Sequence, residues 1–224
     1  MEILNYFAAY FPKYVIFVQH FSPKLQNWLP FYWAGFKQTT RITYNLYNLP
    51  DTQKIWDGMR SNIRGDIRKA QKQGIVVQSC TPEIALSMFA KTRSRQDRKA
   101  AYTDDFFINL YKSCKTRQAG ECFAAFDPQG NPHAAAFLVW DKKKAYYLVG
   151  GGDSELRNSG ATSLLIWNMI EFAAQRSDIF DFEGSVIKPV ERFFRAFGAQ
   201  QVPYHVVRKF PMLVRIVLAV MNKI

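Results

Sequence analysis

"LVGGGDSELRNSGATSLLIW", residues 148–167, is the stretch on which the fold turns. An apolar run enters Gly150, Gly151 and Gly152. A polar segment follows, and Arg157-x-x-Gly160-Ala161 opens a second apolar run. The pattern is strand, loop, helix. The first amides of a helix have no partner in the helix, and the aligned peptide dipoles make that end positive, so it attracts anions. Arg157 adds a fixed charge with paired donors. Asn158 or Ser159 stands where a capping side chain belongs, and Gly160 leaves the backbone bare for a phosphate. The same letters also describe a plain strand-to-helix connection whose glycines only relieve strain. On this stretch alone both readings stand.

The pattern continues in both directions. Downstream, Ala161 to Arg176 reads as an apolar helix, "DIFDFEG" (178–184) as a strand, "KPVERFFRAFG" (188–198) as a helix and "QQVPYHVVRK" (200–209) as a last strand. Upstream, "ECFAAFD" (121–127) and "HAAAFLVWD" (133–141) form a hairpin across Pro128-Gln129-Gly130-Asn131, and "KKKAYYLVG" (142–150) is the next strand. Earlier still, "RITYNLYNL" (41–49) and "IVVQSC" (75–80) read as strands flanking one helix over Thr52 to Gln73, stopped by Gly74. Two more helices begin at Thr81-Pro82 and at the cap Thr103 with its acidic first turn. Hairpin signals mixed with strand–helix–strand crossovers predict a layered α/β domain with a mixed sheet.

The chain of 224 residues is 48% apolar and 21% charged, an ordinary globular balance, but 16% aromatic. Lys and Arg exceed Asp and Glu by 30 to 18, a positive field suited to phosphate-rich ligands, nucleic acid or anionic lipid, although it selects no reaction. Cys80, Cys114 and Cys122 are scattered, with no Cys-x-x-Cys pair and no Cys/His cluster, so neither a disulfide framework nor a metal site is expected. A reducing, cytoplasmic location fits best. Residues 1–36 hold a dense aromatic set that must pack on something. Residues 211–224 read as an amphipathic helix with Met212, Leu213, Ile216, Val217 and Val220 on one face. That helix is too short to span a bilayer. It suits packing, a homodimer contact or peripheral attachment to a membrane.

Two constellations carry charge toward chemistry. In "DIFDFEGS", Asp181 and Glu183 are two apart and share one side of the strand, opposite Phe180 and Phe182. A carboxylate among apolar neighbours binds its proton more tightly and can take one from an attacking amine. Alternatively, Glu183 pairs with Arg192 or Arg195 and fixes the next helix. On the segment 52–73, Ile55, Met59, Ile63 and Ile67 form an apolar stripe. Arg60, Arg64, Arg68 and Lys72 recur beside it, either as a solvated face or as a contact for a polyanion such as tRNA.

Four stretches together resemble the GNAT superfamily of acyltransferases, and within it the Fem-type branch of peptidoglycan-bridge aminoacyltransferases. They are "GFKQTTRITYNL", "MRSNIRGDIRKAQKQGI", "GGGDSELRNSGATSLLIWNMIEFA" and "FDFEGSVIKPVERFFRAFGAQQVPY". The resemblance implies a GNAT-like domain over 37–210, with 1–36 as the remnant of a first GNAT-like half. It implies a donor, acyl-CoA or aminoacyl-tRNA, held by Gly151, Arg157, Asn158, Ser159, Gly160, Ala161 and Thr162, with Thr162 standing where the family pattern has Gly or Ala. It also implies transfer to an amine acceptor without a metal and without a covalent enzyme intermediate, Glu183 and Asp181 being the candidate catalytic carboxylates. The competing expectations are a GNAT-fold scaffold without catalysis and a basic RNA-binding module.

Overall fold

The computed structural model describes residues 16–95, 102–185 and 187–210. The amphipathic segment 211–224 and the first part of the aromatic extension, 1–15, lie outside them. The chain forms two compact units, the larger spanning Tyr44–Gln200 and the smaller taking the chain on either side.

The smaller unit contains β1 (Phe17–His20), α1 (Leu29–Trp33), the first residues of β2 (Lys37–Tyr47) and nearly all of β8 (Gln200–Lys209). β1 runs antiparallel to β8, with Phe17 opposite Lys209 and His20 opposite Val206. Part of the aromatic extension does pack: Phe21, Phe31 and Phe36 close around Val207, with ring centroids 5.1 and 5.3 Å apart for Phe21–Phe31 and Phe31–Phe36. Edge-to-face rings of this kind add to the area they bury. Neither β1 nor α1 shows a periodic signal in the sequence.

In the larger unit the strands lie in the order β2, β7 (Ile179–Asp181), β6 (Lys144–Gly152), β5 (Pro132–Trp140), β4 (Gly120–Phe126), β3 (Val76–Ser79). β6 and β7 are parallel; β2–β7 and the pairs from β3 to β6 are antiparallel. The two-residue period of a strand explains how both faces are covered. Cys122, Ala124 and Phe126 pack with α4 (Pro82–Arg95) and α5 (Asp104–Thr116) on one side. Phe123 and Ala125 pack on the other side with α3 (Ser61–Lys72) and α6 (Ala161–Ala174). Thr103 caps α5 as expected, its Oγ1 accepting from the Phe106 amide at 3.2 Å. This mixed sheet, flanked by helices, is the α/β class the sequence predicts.

One element departs from expectation. The helix expected over Thr52–Gln73 is two, α2 (Thr52–Gly58) and α3, because Met59 and Arg60 are extended, with ψ of 147° and 148°. The lost helical bonds are replaced: the Arg60 amide donates to the Ala196 carbonyl at 2.9 Å, and the Arg64 guanidinium donates to the carbonyls of Trp56, Asp57 and Met59. The apolar stripe survives the break, with Ile55, Met59, Ile63 and Ile67 all buried. The expected strand at 178–184 is also shorter, ending at Asp181. The residues just beyond Asp181 leave the sheet and help to build the site.

Candidate active site

β6 and β7 pair only through Lys144–Ile179, Ala145–Phe180 and Tyr146–Asp181. β7 then stops, while β6 runs on to Gly152. On its other edge β6 jumps register against β5 between Phe137 and Leu138, so Leu148 is the extra residue of a bulge. A bulge bends and twists its strand. Beyond Tyr146 a cavity of about 850 Å³ opens, lined on one side by Tyr147 to Asp153 and on the other by Phe182 to Ser185. Such a volume holds a small-molecule ligand. α4 adds Phe89, Thr92 and Arg93. The start of α6 adds Gly160, Thr162 and Ser163. The helix α7 (Lys188–Ala196) adds Pro189, Val190, Phe193 and Phe194.

The sequence-predicted donor residues fall into two groups. Gly151, Arg157, Gly160 and Thr162 line the cavity. Asn158, Ser159 and Ala161 do not; they set the loop. Arg157–Ser159 is a single 3-10 turn. Lys69 on α3 donates to the Asn158 carbonyl at 2.5 Å. Ser159 Oγ lies 3.0 Å from His133 Nδ1 and accepts from the Ala161 amide at 3.3 Å, and His133 Nε2 lies 3.4 Å from Asp127. Packing gives Gly160 a reason of its own to be glycine. Its φ is +78°, and a Cβ there would lie 2.2 Å from the Asp66 carbonyl oxygen. That close approach is to α3. Gly151 likewise faces α4, where a Cβ would meet the Met88 carbonyl at 2.5 Å.

Gly160 offers no capping side chain and Ser159 takes the Ala161 amide, so the amides of Thr162 and Ser163, with Arg157, remain for an anion at the cavity. Thr162 brings a hydroxyl to the position where the family pattern has a bare Cα or a methyl. These groups fit a phosphate-bearing donor. Thr92 Oγ1 takes up both polar groups of Gly152, accepting from its amide at 2.9 Å and donating to its carbonyl at 3.2 Å. Lys91 and Asp153 neutralise each other at 2.5 Å.

Asp181 and Glu183 are brought together but differ in position. Asp181 is 4% exposed, accepts from Lys144 Nζ at 2.7 Å and, with its other oxygen, from the Glu183 amide at 2.8 Å. It does not line the cavity. Glu183 does, and among the described residues its carboxyl has no ion-pair partner. Arg195 pairs instead with Glu191, its Nε 3.2 Å from Oε1. Although Glu183 stands at the surface as a residue, its carboxyl is desolvated. Burial raises its pKa, the Asp181 charge raises it further, and Lys144 partly offsets both. Glu183 also adopts φ of +61°, a left-handed conformation that costs a non-glycine residue about 1 kcal/mol. Strain and desolvation at one cavity residue mark a functional position.

Sequence reasoning missed the cavity's other contributors. Tyr147 is the clearest: it is half-buried in the cavity wall, and burial raises the pKa of its hydroxyl. It occupies the space beside Gly150, where a Cβ would lie 1.7 Å from the phenol oxygen. No periodicity shows that a bulge turns this tyrosine inward. The basic series is split as well: Arg60, Arg68 and Lys72 are exposed, whereas Arg64 is committed to the end of α2. Among the described residues no group of His, Cys, Asp and Glu is arranged to hold a metal, and no helix is long and apolar enough to cross a membrane.

Paired parallel strands part around a cavity that has free helix amides and a carboxyl in its wall, an arrangement that accommodates an anionic ligand. The sequence supplies the class: residues 57–195 match the acetyltransferase (GNAT) domain model, and the chain belongs to that family. Among curated proteins, none matches it significantly. FemX superposes with a TM-score of 0.67 at 14% identity, over 79% of this chain and 67% of that one. The C-terminal domain of a putative lysylphosphatidylglycerol synthetase from Agrobacterium fabrum gives 0.63 at 11% identity, over 90% and 69%. L-PGS from Bacillus licheniformis gives 0.58 at 9% identity, over 87% and 69%. At such identities the likeness is one of fold.

Proposed function

We propose that this chain transfers an acyl group from an acyl-CoA-type thioester to an amine, with Glu183 as the general base. The observation that carries this reading is the cavity itself, which joins the start of α6 to the Glu183 carboxyl. The donor's phosphates meet the α6 amides, Arg157 and Thr162. The amine nitrogen attacks the thioester carbonyl, a C–N bond forms, the C–S bond breaks, and the nitrogen's proton passes to Glu183. The thiolate leaves and is reprotonated as thiol. Asp181 is a positioning residue, holding the Glu183 amide and hence the strained turn.

The test is thiol release with a panel of amines, together with donor binding by calorimetry. Glu183→Gln lowers kcat by about 100-fold or more while donor Kd stays within about threefold. Arg157→Ala raises donor Kd by about tenfold. An active Glu183→Gln enzyme removes the base assignment. If CoA, acyl-CoA and aminoacyl-tRNA all fail to bind, the chain is a GNAT-fold scaffold.

A second reading has its own observation. Lys69 ties the exposed cationic face of α3 to the donor loop through the Asn158 carbonyl. Aminoacyl-tRNA as donor uses that continuity, the polyanion lying on Arg60, Arg68 and Lys72 while its acylated end enters the cavity. A filter-binding comparison of aminoacyl-tRNA with acyl-CoA separates the two.

A further inference from the structure

The cavity has two chemically different walls. Arg93, Arg157 and the start of α6 give it a cationic and polar lining. The helix α7 presents an apolar face. Pro189, Val190, Phe193 and Phe194 stand at i, i+1, i+4 and i+5, on one side of the helix, and all four line the cavity. Phe194 is backed by Phe182 and Tyr147, with centroids 4.8 and 6.0 Å away, and Phe193 by Phe197 at 5.3 Å. The wall is therefore backed by a second layer of rings. Phe194 is buried, but Val190 and Phe193 are only half-buried and Pro189 is exposed. The apolar surface that these three leave open faces the cavity.

Such a wall does nothing for an acetyl group, which offers one methyl. It matches an acyl group with an extended apolar body. We propose that the transferred group is such an acyl chain, lying along the Val190–Phe193 face of α7. This rests on the cavity being the donor site. The polar lining anchors the donor and the α7 wall selects what it carries. Each methylene laid on the wall removes apolar surface from water, about 0.8 kcal/mol, or about fourfold in affinity.

Calorimetry on the full chain tests this with acetyl-CoA, hexanoyl-CoA and hexanoyl-pantetheine, which lacks the nucleotide. Hexanoyl-CoA binds at least about tenfold more tightly than acetyl-CoA. Phe193→Ala brings that ratio to within about threefold. So does Val190→Asn, which changes a half-buried side chain and keeps the fold. Equal affinity for the two thioesters, or a ratio that survives both substitutions, overturns the apolar-acyl assignment while leaving the donor reading intact. Should CoA and both CoA thioesters fail to bind while hexanoyl-pantetheine binds in a Phe193-dependent way, the CoA reading falls and the apolar site stands. Absence of binding by all of these ligands overturns both.

Discussion

Glu183 carries two local costs, a left-handed backbone and a desolvated carboxyl, and neither is explained by packing. The turn is held from outside, by the buried Asp181 that Lys144 neutralises. Because burial and Asp181 both favour the protonated form, activity that needs the carboxylate falls as pH drops through a value above the ordinary carboxylate range. Asp181→Asn removes the like charge and leaves the Lys144 cation without its partner. Both changes favour the Glu183 carboxylate, so the acidic limb of the pH–rate profile moves to lower pH. The same variant loses about 1–2 kcal/mol of stability, because the half-buried Lys144 cation is left without its charged partner. A limb that stays put, measured on protein still folded by circular dichroism, shows that Glu183 does not set the profile. Stability has its own sign. The folded state holds the Glu183 proton more tightly than the unfolded chain, so it loses stability as pH rises from the ordinary value of 4.5 to the raised one. Glu183→Gln abolishes that loss: it melts higher than the parent near pH 8, and the difference closes below pH 4.

At the scale of elements, the donor loop is fixed by backbone contact rather than by its own side chains. Gly160 lies against the Asp66 carbonyl, so Gly160→Ala brings a clash with the main chain of α3 and a left-handed alanine together. A loss of about 3 kcal/mol is expected in urea unfolding. A loss under 1 kcal/mol means that the loop can move off α3. This contact also shows what the sequence could convey. Apolar periodicity located α6, the β4–β5 hairpin and β8, because one-sided or two-sided burial writes itself into the residue order. The order of Arg157, Gly160 and Glu183 located part of the cavity's lining. The split at Met59–Arg60 was hidden, because the chain resumes its helix with the apolar stripe still in phase. The bulge at Leu148 was hidden too, since a single unpaired residue leaves the alternation around it intact. Gly160 meets two demands that look alike in sequence, because a close approach of backbone and a close approach of phosphate ask for the same residue. The position of α3 shows the first of them.

For the whole molecule the net charge of +12 raises the question of where it is spent. The cavity is not especially cationic: its lining holds Arg93 and Arg157 but also Asp66, Asp153 and Glu183. Along α3 some of the positive charge has structural work. Arg64 closes the end of α2, Lys69 holds the donor loop, and Arg68 lies 5.6 Å from the centroid of Trp56. Arg60 and Lys72 are exposed and pair with no carboxylate among the described residues, and the Arg68 head shares that face. If the donor is a tRNA, these three release counterions on binding. Each neutralised phosphate contributes about 0.7–0.9 to the slope of log K against log salt. Changing Arg60, Arg68 and Lys72 to Gln then flattens that slope by about 2 to 3 and weakens binding most at low salt. Arg64 and Lys69 are left in place, so the loop and the α2–α3 junction stay intact and the change reports on charge alone. A small thioester donor held at α6 predicts the opposite: the triple variant keeps its affinity for acyl-CoA, and only Arg157→Ala weakens it. An unaltered slope for tRNA assigns the α3 charges to solvation and leaves the donor to the cavity.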